Sequence, residues 1–472
     1  MLKHVFPYHH DTAQLFERIA HLEWAMWLDS GQLINPTTGK PGSQYGRFDI
    51  IVCKPRVTFV TRGQSTEITQ NGQTTHSDTD PFSLINTALA TDASMTQTLL
   101  STLPFTGGAL GYFGYDLAQR IERLNNHAQV EANMPQLMVG IYDCALVVDH
   151  REKTAVLVSQ NLHPNARENF DALQALFCAP HSCVEVMTTF KVTSKVLSNM
   201  QKNQYAEAFN RIKKYILEGD CYQVNLAQRF TAKAVGDGWL AYKKLREISP
   251  APFMAYMRLP GLEVLSGSPE RFLQVVNKHV ETRPIKGTRP RGLDAVTDAQ
   301  NAAELQSSLK DRAENLMIVD LLRNDIGKNC EIGSVKATQL FQLQSFANVH
   351  HLVSIITGQL AQDKSALDLL RGCFPGGSIT GAPKLRSMQI IEELEPHQRG
   401  LYCGAIGYIG FDGNMDTNIA IRTAVYRHTQ AGVGEINFYA GGGIVADSTM
   451  DKEYVETLDK ASSMLKLMEY FQ

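Results

Sequence analysis

The sequence predicts an α+β protein in which two stacked antiparallel β layers are surrounded by helices and the halves of the chain are interleaved. An internal echo is the first observation, because Gly108 to Asp116 and Gly404 to Asp412 are identical at six of nine positions. Hairpin signals such as Asn71-Gly72 are the second, since tight turns join antiparallel strands. Helical periodicity between the strands is the third. We expect the echoed segments to be equivalent strands of two related sheets.

The first part of the chain reads mainly as strands. Phe48 to Val60 predicts a strand, and Leu137 to Val148 with Thr154 to Ser159 predicts a hairpin. Asp80-Pro81 predicts a helix start, with the aspartate as cap and the proline at the first helical position. Thr188 to Asn203, a polar segment with three lysines, predicts a connector, so we divide the chain into an N-terminal region, residues 1–190, and a second region, residues 200–468.

The second part alternates longer helices with strands. Its predicted elements are helix Gln204 to Glu218, strands Arg271 to Val276 and His279 to Ile285 joined at Asn277-Lys278, helix Asp298 to Asp325 with Gly327 as its stop, strand Asn418 to Val425, strand Ile436 to Ala440, and a last helix to about Leu467. Ser448 and Asp451 form a candidate capping box for that last helix.

Lys286 is the first candidate catalytic residue. It is expected at the end of a strand as the chain enters a loop, a common place for functional groups. An enclosed lysine loses water, its pKa falls, and the neutral amine becomes a nucleophile. The alternative is a solvated loop lysine among Arg283, Arg289 and Arg291.

Glu270 precedes the strand that pairs with the one carrying Lys286. With a two-residue turn at Asn277-Lys278, Glu270 falls opposite Ile285, one step from Lys286. Strict alternation would put the two side chains on opposite faces, so a shared ligand requires the pleat to end or bulge there. The alternative is a solvated carboxylate at the end of a strand.

Three glutamates on two helices are candidate metal ligands. Glu314 lies on one helix, and Glu453 and Glu456 are three residues apart on one face of another. Carboxylates from separate helices suit magnesium, which takes hard oxygen ligands and leaves positions for water and an anionic substrate. The alternative is a set of solvated helix faces.

Polar and glycine-rich segments supply candidate anion contacts. Gly441-Gly442-Gly443 after a strand can turn bare backbone N–H groups toward a carboxylate. Arg422 can grip a second carboxylate with its two-pronged guanidinium. Thr380 is expected to cap the following helix and to line the pocket, since Ala382-Pro383 stands where a phosphate loop requires Lys-Ser/Thr.

The composition narrows the functional classes. Lys and Arg number 45 against 48 Asp and Glu, without a basic run, so neither nucleic acid nor an anionic membrane is indicated. Eight cysteines include no Cys-x-x-Cys pair, which argues against a zinc site or disulfide framework. The N-terminus lacks the apolar core of a signal peptide. We expect a soluble protein of the reducing cytosol.

Several spaced motifs together resemble the signatures of one enzyme family. They are Pro284 to Gly292, Gly219 to Phe230, Glu314 to Asp325 and Glu453 to Thr457. The chain resembles the chorismate-utilising enzymes and, within them, the aminodeoxychorismate synthase component I group. Anthranilate synthase large subunits carry alanine where Lys286 stands, and relatives that use water as nucleophile carry lysine at Gln223. The resemblance is strong over residues 204–468, within the chorismate-binding catalytic region 200–468. It is looser over 48–159, within the anthranilate synthase component I-like region 1–190.

The resemblance implies a role for individual residues. Lys286, Glu270 and His351 match catalytic residues, while Glu314 and Glu456 match direct metal ligands and Glu453 an outer one. The matching chorismate contacts are Gly287, Thr288, Thr380, Tyr402, Arg422, Gly441, Gly442 and Gly443. A tryptophan site matches Ser30, Tyr45, Gly46, Arg47, Phe48, Pro252, Phe253 and Met254. For His351 a buried structural histidine is the alternative.

The implied activity is magnesium-dependent amination of chorismate at C4. The product would be 4-amino-4-deoxychorismate, a precursor of 4-aminobenzoate and folate. Because no glutaminase nucleophile is recognisable, ammonia is expected from a separate glutamine amidotransferase subunit. One alternative is anthranilate synthase component I, which Lys286 opposes. A rival of another class is a non-catalytic tryptophan-binding regulatory protein.

Overall fold

A computed structural model of the chain describes residues 1–31, 46–93 (backbone only at 91–93), 102–122, 124, 134–179, 189–292, 294–345, 349–430 and 432–472. None of the helices in these ranges is both long and apolar enough to cross a membrane. The strands are β1 (Leu2–Phe6), β2 (Ala25–Asp29), β3 (Phe48–Val52), β4 (Val57–Arg62), β5 (Ser65–Gln70), β6 (Gln73–Ser77), β7 (Gly108–Phe113), β8 (Leu137–Tyr142), β9 (Cys144–Asp149), β10 (Thr154–Ser159), β11 (Phe190–Val192), β12 (Leu197–Ser198), β13 (Gln223–Gly236), β14 (Phe253–Leu259), β15 (Leu262–Ser268), β16 (Arg271–Val276), β17 (His279–Thr282), β18 (Ile285–Pro290), β19 (Lys336–Ser345), β20 (Val349–Gln359), β21 (Gly381–Ala382), β22 (Ala405–Gly410), β23 (Met415–Ile419), β24 (Thr423–Gln430) and β25 (Val433–Ile444).

The helices pack around these strands. They are α1 (Ala13–Phe16), α2 (Pro81–Ala93), α3 (Ala118–Ile121), α4 (Ala166–Cys178), α5 (Lys202–Leu217), α6 (Gly238–Ile248), α7 (Ala295–Ser307), α8 (Leu309–Gly327), α9 (Ala366–Cys373), α10 (Lys384–Leu394) and α11 (Met450–Tyr470). Short 3₁₀ turns occupy Tyr115–Leu117 and Gly377–Ile379.

The described strands form two large sheets. The first has 13 strands in the order β1-β10-β9-β3-β2-β14-β15-β24-β25-β13-β11, with β12 and β21 also pairing with β13. The second has 12 strands in the order β18-β20-β17-β16-β23-β22-β7-β8-β4-β5-β6, with β19 also pairing with β20. The pairing is antiparallel throughout the strands described.

An apolar layer lies between the two sheets. Met26 and Val264 of the first sheet share a buried cluster with Leu110 and Met138 of the second. Helices α6 and α11 cover the outer face of the first sheet, whereas α2, α8 and α9 pack on the second. Burial of these apolar faces drives the stacking. The predicted α+β fold, with two antiparallel layers inside a shell of helices, is confirmed.

The halves of the chain meet inside both sheets. In the first sheet β2 pairs with β14, and in the second β7 pairs with β22. The echoed segments are therefore neighbours in one sheet, with Gly111 opposite Gly407. The expectation that they belong to two different sheets is wrong, because an antiparallel pair of like strands satisfies their backbone groups directly. The division at residues 190 and 200 remains a prediction, and each sheet takes strands from both sides of it.

Strands that cross between the sheets account for another difference. Phe48 to Val60, Leu137 to Val148 and Asn418 to Val425 were each expected as one strand, or one arm of a hairpin. Each is two strands, β3 and β4, β8 and β9, and β23 and β24, with one strand in each sheet. The sequence does not mark the crossover, because the chain is buried in both sheets and its apolar pattern continues from one strand into the next.

The helix expected from Asp298 to Asp325 is two helices. Helix α7 ends at Ser307 and α8 begins at Leu309, where the Ser308 side chain accepts a hydrogen bond from the Asp311 N–H. A serine cap starts a new helix because it satisfies an otherwise free N–H group. The predicted end at Gly327 is confirmed.

Candidate active site

Lys286 lies within a strand rather than at the end of one. Strand β17 stops at Thr282, and Lys286 is the second residue of β18, paired with Leu352. Ile285 therefore pairs with Val353, and the expected position of Glu270 opposite Ile285 is wrong. The ladder bulges after Lys286 at Gly287, whose φ of 77° suits a residue without a side chain.

The Lys286 side chain is half-buried, and its amine is surrounded by charged groups. Desolvation lowers the pKa of Lys286, and the ammonium of Lys460 lowers it further. The carboxylates of Glu314, Glu270 and Glu456 act in the opposite direction on that pKa without reversing the shift. Among the residues described, no hydrogen bond or ion pair engages the amine. The neutral form, which is the nucleophile, is therefore favoured.

Glu270 occupies the crossover between β15 in the first sheet and β16 in the second. Its side chain is buried, at 8% exposure, and its Oε1 accepts a hydrogen bond of 2.9 Å from Ser378 Oγ. Burial raises the pKa of Glu270, although Ser378, Lys286 and Arg422 counteract part of that rise. A carboxyl group that holds its proton can act as a general acid.

Glu314 and Glu456 approach Lys286 from two different helices. Glu314 on α8 forms an ion pair of 3.8 Å with Lys310, and Glu456 on α11 forms one of 2.7 Å with Lys460. Desolvation raises the pKa of Glu314. Desolvation opposes ionisation of Glu456 too, but the charge and hydrogen bond of Lys460 outweigh it and lower the pKa of Glu456.

Glu453 is held by the serine expected to cap the last helix. Ser448 Oγ donates to Glu453 Oε1 at 2.6 Å and accepts from the Val445 N–H, while Thr449 occupies the cap position of α11. The predicted capping box is therefore wrong, because the carboxylate of Glu453 competes for the serine hydroxyl. Burial raises the pKa of Glu453, and the Ser448 hydrogen bond lowers it in part.

The three glutamates match magnesium by chemical type. In the described parts of the chain, no three His, Cys, Asp or Glu side chains are close enough together to hold a metal ion. Glu453 Oε2 is nevertheless buried without a hydrogen-bond partner. A Cβ placed on Gly442 would lie 3.1 Å from that oxygen and 3.3 Å from Glu456 Oε1. The bare backbone at Gly442 therefore leaves room beside two carboxylates, which are hard ligands suited to Mg²⁺.

The triple glycine is part of a strand and not of a turn, which corrects the sequence expectation. Gly441 to Gly443 lie inside β25 and pair with Ala227 to Asn225 of β13. The Ala227 N–H donates to Glu395 and the Asn225 N–H to the Thr380 carbonyl, so neither bonds to β25. The Gly441 carbonyl accepts from Lys460 Nζ. Since N–H and C=O of one residue point to the same side, the Gly441 N–H faces away from β13.

Arg422 stands at the crossover between β23 and β24, with a φ of 49°. It was expected on a continuous strand, but the chain changes sheets there. Desolvation lowers the pKa of Arg422, and Glu270 is the nearby carboxylate that opposes this shift. The guanidinium therefore lies in the same electrostatic environment as Glu270.

His351 and Thr288 are paired across the ladder. Thr288 Oγ1 is 2.9 Å from His351 Nδ1, and His351 also bonds to the Gly287 backbone. Desolvation, followed by the charge of Arg422, lowers the pKa of His351 to about 4. The imidazole is therefore neutral at physiological pH.

Thr380 and Tyr402 lie deeper in the protein. Thr380 Oγ1 donates to the carbonyls of Gly376 and Gly377, so it is not the cap of α10, which begins after Pro383. The Tyr402 ring stacks on that of Tyr439, with the ring centroids 5.3 Å apart. Thr380 is thus bonded to the Gly377–Ile379 turn, which carries Ser378, the hydrogen-bond donor to Glu270.

Sequence reasoning missed three side chains that shape this site. Lys460 pairs with Glu456, Lys310 pairs with Glu314, and Ser378 donates to Glu270. The two lysines could have been found, since each lies four residues from its glutamate on a helix. Ser378 carries no such signal, because it meets Glu270 across 108 residues of sequence.

The candidate tryptophan residues line a separate cavity. Ser30, Gly46, Arg47, Phe48, Pro252, Phe253 and Met254 surround a volume of about 610 Å³. Tyr45 lies outside the described residues. Arg271, next to Glu270, lines the cavity as well, with an ion pair of 2.9 Å to Asp416. The candidate catalytic and metal-ligating residues are not part of its lining.

Comparison with known proteins identifies the family of this chain. The model of the chorismate binding enzyme family matches residues 43–466. Aminodeoxychorismate synthase component 1 of Escherichia coli is 47% identical over 460 residues, which cover 97% of this chain and 96% of the relative. Anthranilate synthase component 1 of Geobacillus stearothermophilus is 38% identical over 390 residues, covering 79% and 76%.

A solved structure extends the likeness to the fold. Anthranilate synthase component I of Streptococcus pneumoniae superimposes with a TM-score of 0.77 at 30% identity, over 90% of this chain and 93% of that one. Sequence and fold thus point to the same family, and the chain belongs to the chorismate binding enzyme family.

Proposed function

We propose that this protein adds ammonia at C4 of chorismate and so works as the first component of an aminodeoxychorismate synthase. The observation that carries the proposal is the Lys286 amine, whose pKa is lowered by desolvation and which lies within electrostatic range of Glu270, Glu314 and Glu456. The full-length similarity to the Escherichia coli relative of that name supports it.

The substrate is a dicarboxylate, and two groups are available to bind it. The Arg422 guanidinium is a two-pronged donor for one carboxylate. The Gly441 N–H faces the open side of β25 and can donate to the substrate. His351 is neutral and can donate or accept a hydrogen bond near the ring.

Magnesium is the cofactor that we assign to this site. Glu314 and Glu456 would hold it directly and Glu453 through its unpartnered Oε2 or a water. When bound, the ion supplies positive charge that neutralises the ring carboxylate of chorismate. Lys310 and Lys460 form ion pairs with Glu314 and Glu456, the two proposed direct ligands, and so balance part of the negative charge of these carboxylates.

The chemistry assigned to the side chains proceeds in two displacements. Lys286 Nζ bonds to C2, the two conjugated ring double bonds shift toward C4, and the C4–O bond breaks as Glu270 gives its proton to the departing hydroxyl, which leaves as water. Ammonia then bonds to C4, the two double bonds return to their original positions, and the bond between C2 and Lys286 breaks. The C4 ammonium returns a proton to Glu270, so chorismate and ammonia become 4-amino-4-deoxychorismate and water.

Ammonia is expected from a glutamine amidotransferase subunit. The relatives named component 1 imply a second component. The enolpyruvyl group is retained in the product, so a separate lyase is required before 4-aminobenzoate enters folate synthesis.

The proposed location is the reducing cytosol, because the described cysteines are free thiols.

Product analysis tests the proposal. Purified protein is incubated with chorismate, Mg²⁺ and an ammonium salt, and the products are separated by chromatography. We expect 4-amino-4-deoxychorismate, and addition of a lyase should convert it to 4-aminobenzoate. Anthranilate as the main product would instead assign the chain to anthranilate synthase.

A second candidate function is binding of tryptophan in the cavity between the sheets. The cavity of about 610 Å³ lies within the usual size range of small-molecule sites. Ser30 is held there by Asp49, which accepts from both its N–H and its hydroxyl at 2.7 Å. Tryptophan binding without chorismate turnover would favour the regulatory alternative.

A further inference from the structure

Two polar side chains are completely buried where helix α8 packs on β20, the strand that pairs with Lys286. Asn315 and Ser354 are both 0% exposed. Ser354 Oγ donates to Asn315 Oδ1 at 2.5 Å, and Asn315 Nδ2 donates to the Leu352 carbonyl at 3.3 Å. Burial of two polar groups costs desolvation free energy unless their hydrogen bonds are made. The pair therefore favours the one arrangement of α8 and β20 in which these bonds form.

The pair connects the elements that carry two functional groups. Asn315 directly follows Glu314 on α8, and Leu352 is the residue paired with Lys286. The Ser354 N–H donates to the Pro284 carbonyl at 3.2 Å, just before β18 begins. Asn315 therefore adjoins Glu314, while Ser354 lies on β20, whose backbone pairs with Lys286 and bonds to Pro284 just before it.

The neighbouring strand β19 adds a third connection. Its residue Phe341 has a φ of 57°, unusual for a side chain of that size, and its N–H donates to Ser354 Oγ at 3.2 Å. Arg312 of α8 lies over the Phe341 ring at 4.9 Å. The irregular backbone of β19 is thus held against the same serine and the same helix.

A second clamp between α8 and β18 lies one turn earlier on the helix. Arg289 Nη2 donates to Asp311 Oδ2 at 3.1 Å, and a Cβ on Gly287 would lie 3.0 Å from Asp311 Oδ1. The Asp311 clamp is partly exposed and charged, whereas the Asn315–Ser354 pair is buried and neutral. The buried pair is therefore the less deformable of the two contacts.

We propose that Asn315 and Ser354 are positioning residues that set the separation between the Lys286 amine and the Glu314 carboxylate. The inference rests on the proposed function of that site and extends it to residues outside the pocket. Loss of the Ser354 hydroxyl removes an acceptor for Phe341 and a donor for Asn315, so the amide can rotate and α8 can shift against β20. Neither residue touches the substrate, and their effect passes through Lys286 and Glu314.

The test compares Ser354→Ala with a matched control in the same sheet. Thr66→Val removes a hydroxyl from the Thr61–Thr66 pair, in which both residues are 0% exposed and the two oxygens are 3.0 Å apart. Calorimetry measures Mg²⁺ binding, steady-state kinetics at saturating Mg²⁺ give kcat and KM for chorismate, and heating gives Tm. Ser354→Cys, which keeps a weak donor, is the second variant.

We expect Ser354→Ala to weaken Mg²⁺ binding by roughly 10–100-fold and to lower kcat more than it raises KM, as outer partners of metal sites do. Ser354→Cys should fall between it and the native protein, and Thr66→Val should lower Tm alone. Mg²⁺ affinity and kcat of Ser354→Ala within about twofold of the control would overturn the inference, and the same result in Ser354→Cys would do so if Ser354→Ala does not fold. Failure of the native protein to bind Mg²⁺ or aminate chorismate would overturn the proposed function itself.

Discussion

Glu270 and Arg422 lie on neighbouring crossovers between the two sheets. The Ile419 N–H donates to the Glu270 carbonyl at 3.0 Å, and the Gly267 N–H donates to the Arg422 carbonyl at 2.9 Å. The candidate acid and the candidate carboxylate-binding group are thus held together by main-chain bonds at the junction of the layers. Backbone anchoring of this kind keeps reactive groups in place without mobile loops.

Replacement of Glu270 by glutamine should slow amination without unfolding the protein. Glutamine keeps an oxygen that can accept from Ser378 but has no proton to give to the departing hydroxyl. We expect kcat to fall by about 10²–10⁴-fold with a small change in KM. The exposed residue Glu331 provides the control Glu331→Gln. Unchanged turnover in Glu270→Gln would assign the proton to another group.

Replacement of Lys460 by methionine should move the acidic limb of the pH–rate profile. The neutral amine of Lys286 reacts, so kcat/KM rises as pH passes upward through the pKa of Lys286. The Lys460 charge lowers that pKa, and its loss raises the pKa and shifts the limb to higher pH. Lys466→Met, on the exposed side of the same helix, is the control. A limb that stays in place would contradict the electrostatic coupling.

Replacement of Asp116 by asparagine should stabilise the fold above neutral pH. Asp116 is buried, one oxygen accepts from the Gly400 N–H at 2.8 Å, and the other has no partner. Burial, followed by the charge of Glu392, raises the pKa of Asp116 to about 7, against about 3.9 in an unfolded chain. The unfolded state therefore releases this proton first, and stability falls as pH rises from about 4 to about 7.

Asparagine removes that dependence because it does not ionise. The free energy of unfolding of Asp116→Asn should equal that of the native protein near pH 4 and exceed it by about 1–3 kcal/mol at pH 8. Denaturant titrations at several pH values measure the difference. A variant less stable than the native protein at pH 8 would show that the charged form of Asp116 is needed.

Replacement of Phe253 by alanine should weaken tryptophan binding in the cavity. Phe253 is partly buried, lines the cavity and stacks under the Arg271 guanidinium at 5.0 Å. Loss of its ring should weaken binding by about tenfold or more in a calorimetric titration. Val433→Ala, a change at an exposed residue elsewhere, should leave binding unchanged. Failure of the native protein to bind tryptophan would exclude tryptophan as the ligand of this cavity.

The sequence predicted the elements and the layers better than the paths between them. The hairpins at Asn71-Gly72 and Asn277-Lys278 were predictable, because two-residue turns carry local signals. The crossovers at Glu270 and Arg422 were not, since a strand that changes sheets stays buried and keeps its apolar pattern. Pairing of Lys286 with Leu352 was likewise invisible, because it depends on contacts 66 residues apart.

The candidate site was predicted largely from spaced motifs, and its electrostatics required coordinates. Sequence reasoning expected a lowered pKa for Lys286 from enclosure alone. The contribution of Lys460 to that pKa depends on the position of α11 against β18, which no local pattern encodes. The sequence analysis did not predict that Gly441 to Gly443 lie within a strand, because consecutive glycines are more typical of a turn than of a strand interior.

Chromatography of the products formed by Lys286→Ala tests the central claim, that a neutral amine at position 286 carries the amination. Native protein, the exposed-lysine control Lys191→Ala and Lys286→Ala are each incubated with chorismate, Mg²⁺ and ammonium. The account predicts 4-amino-4-deoxychorismate from the first two proteins and at least about a 100-fold loss of it in Lys286→Ala. Full retention of C4 amination in Lys286→Ala would contradict it.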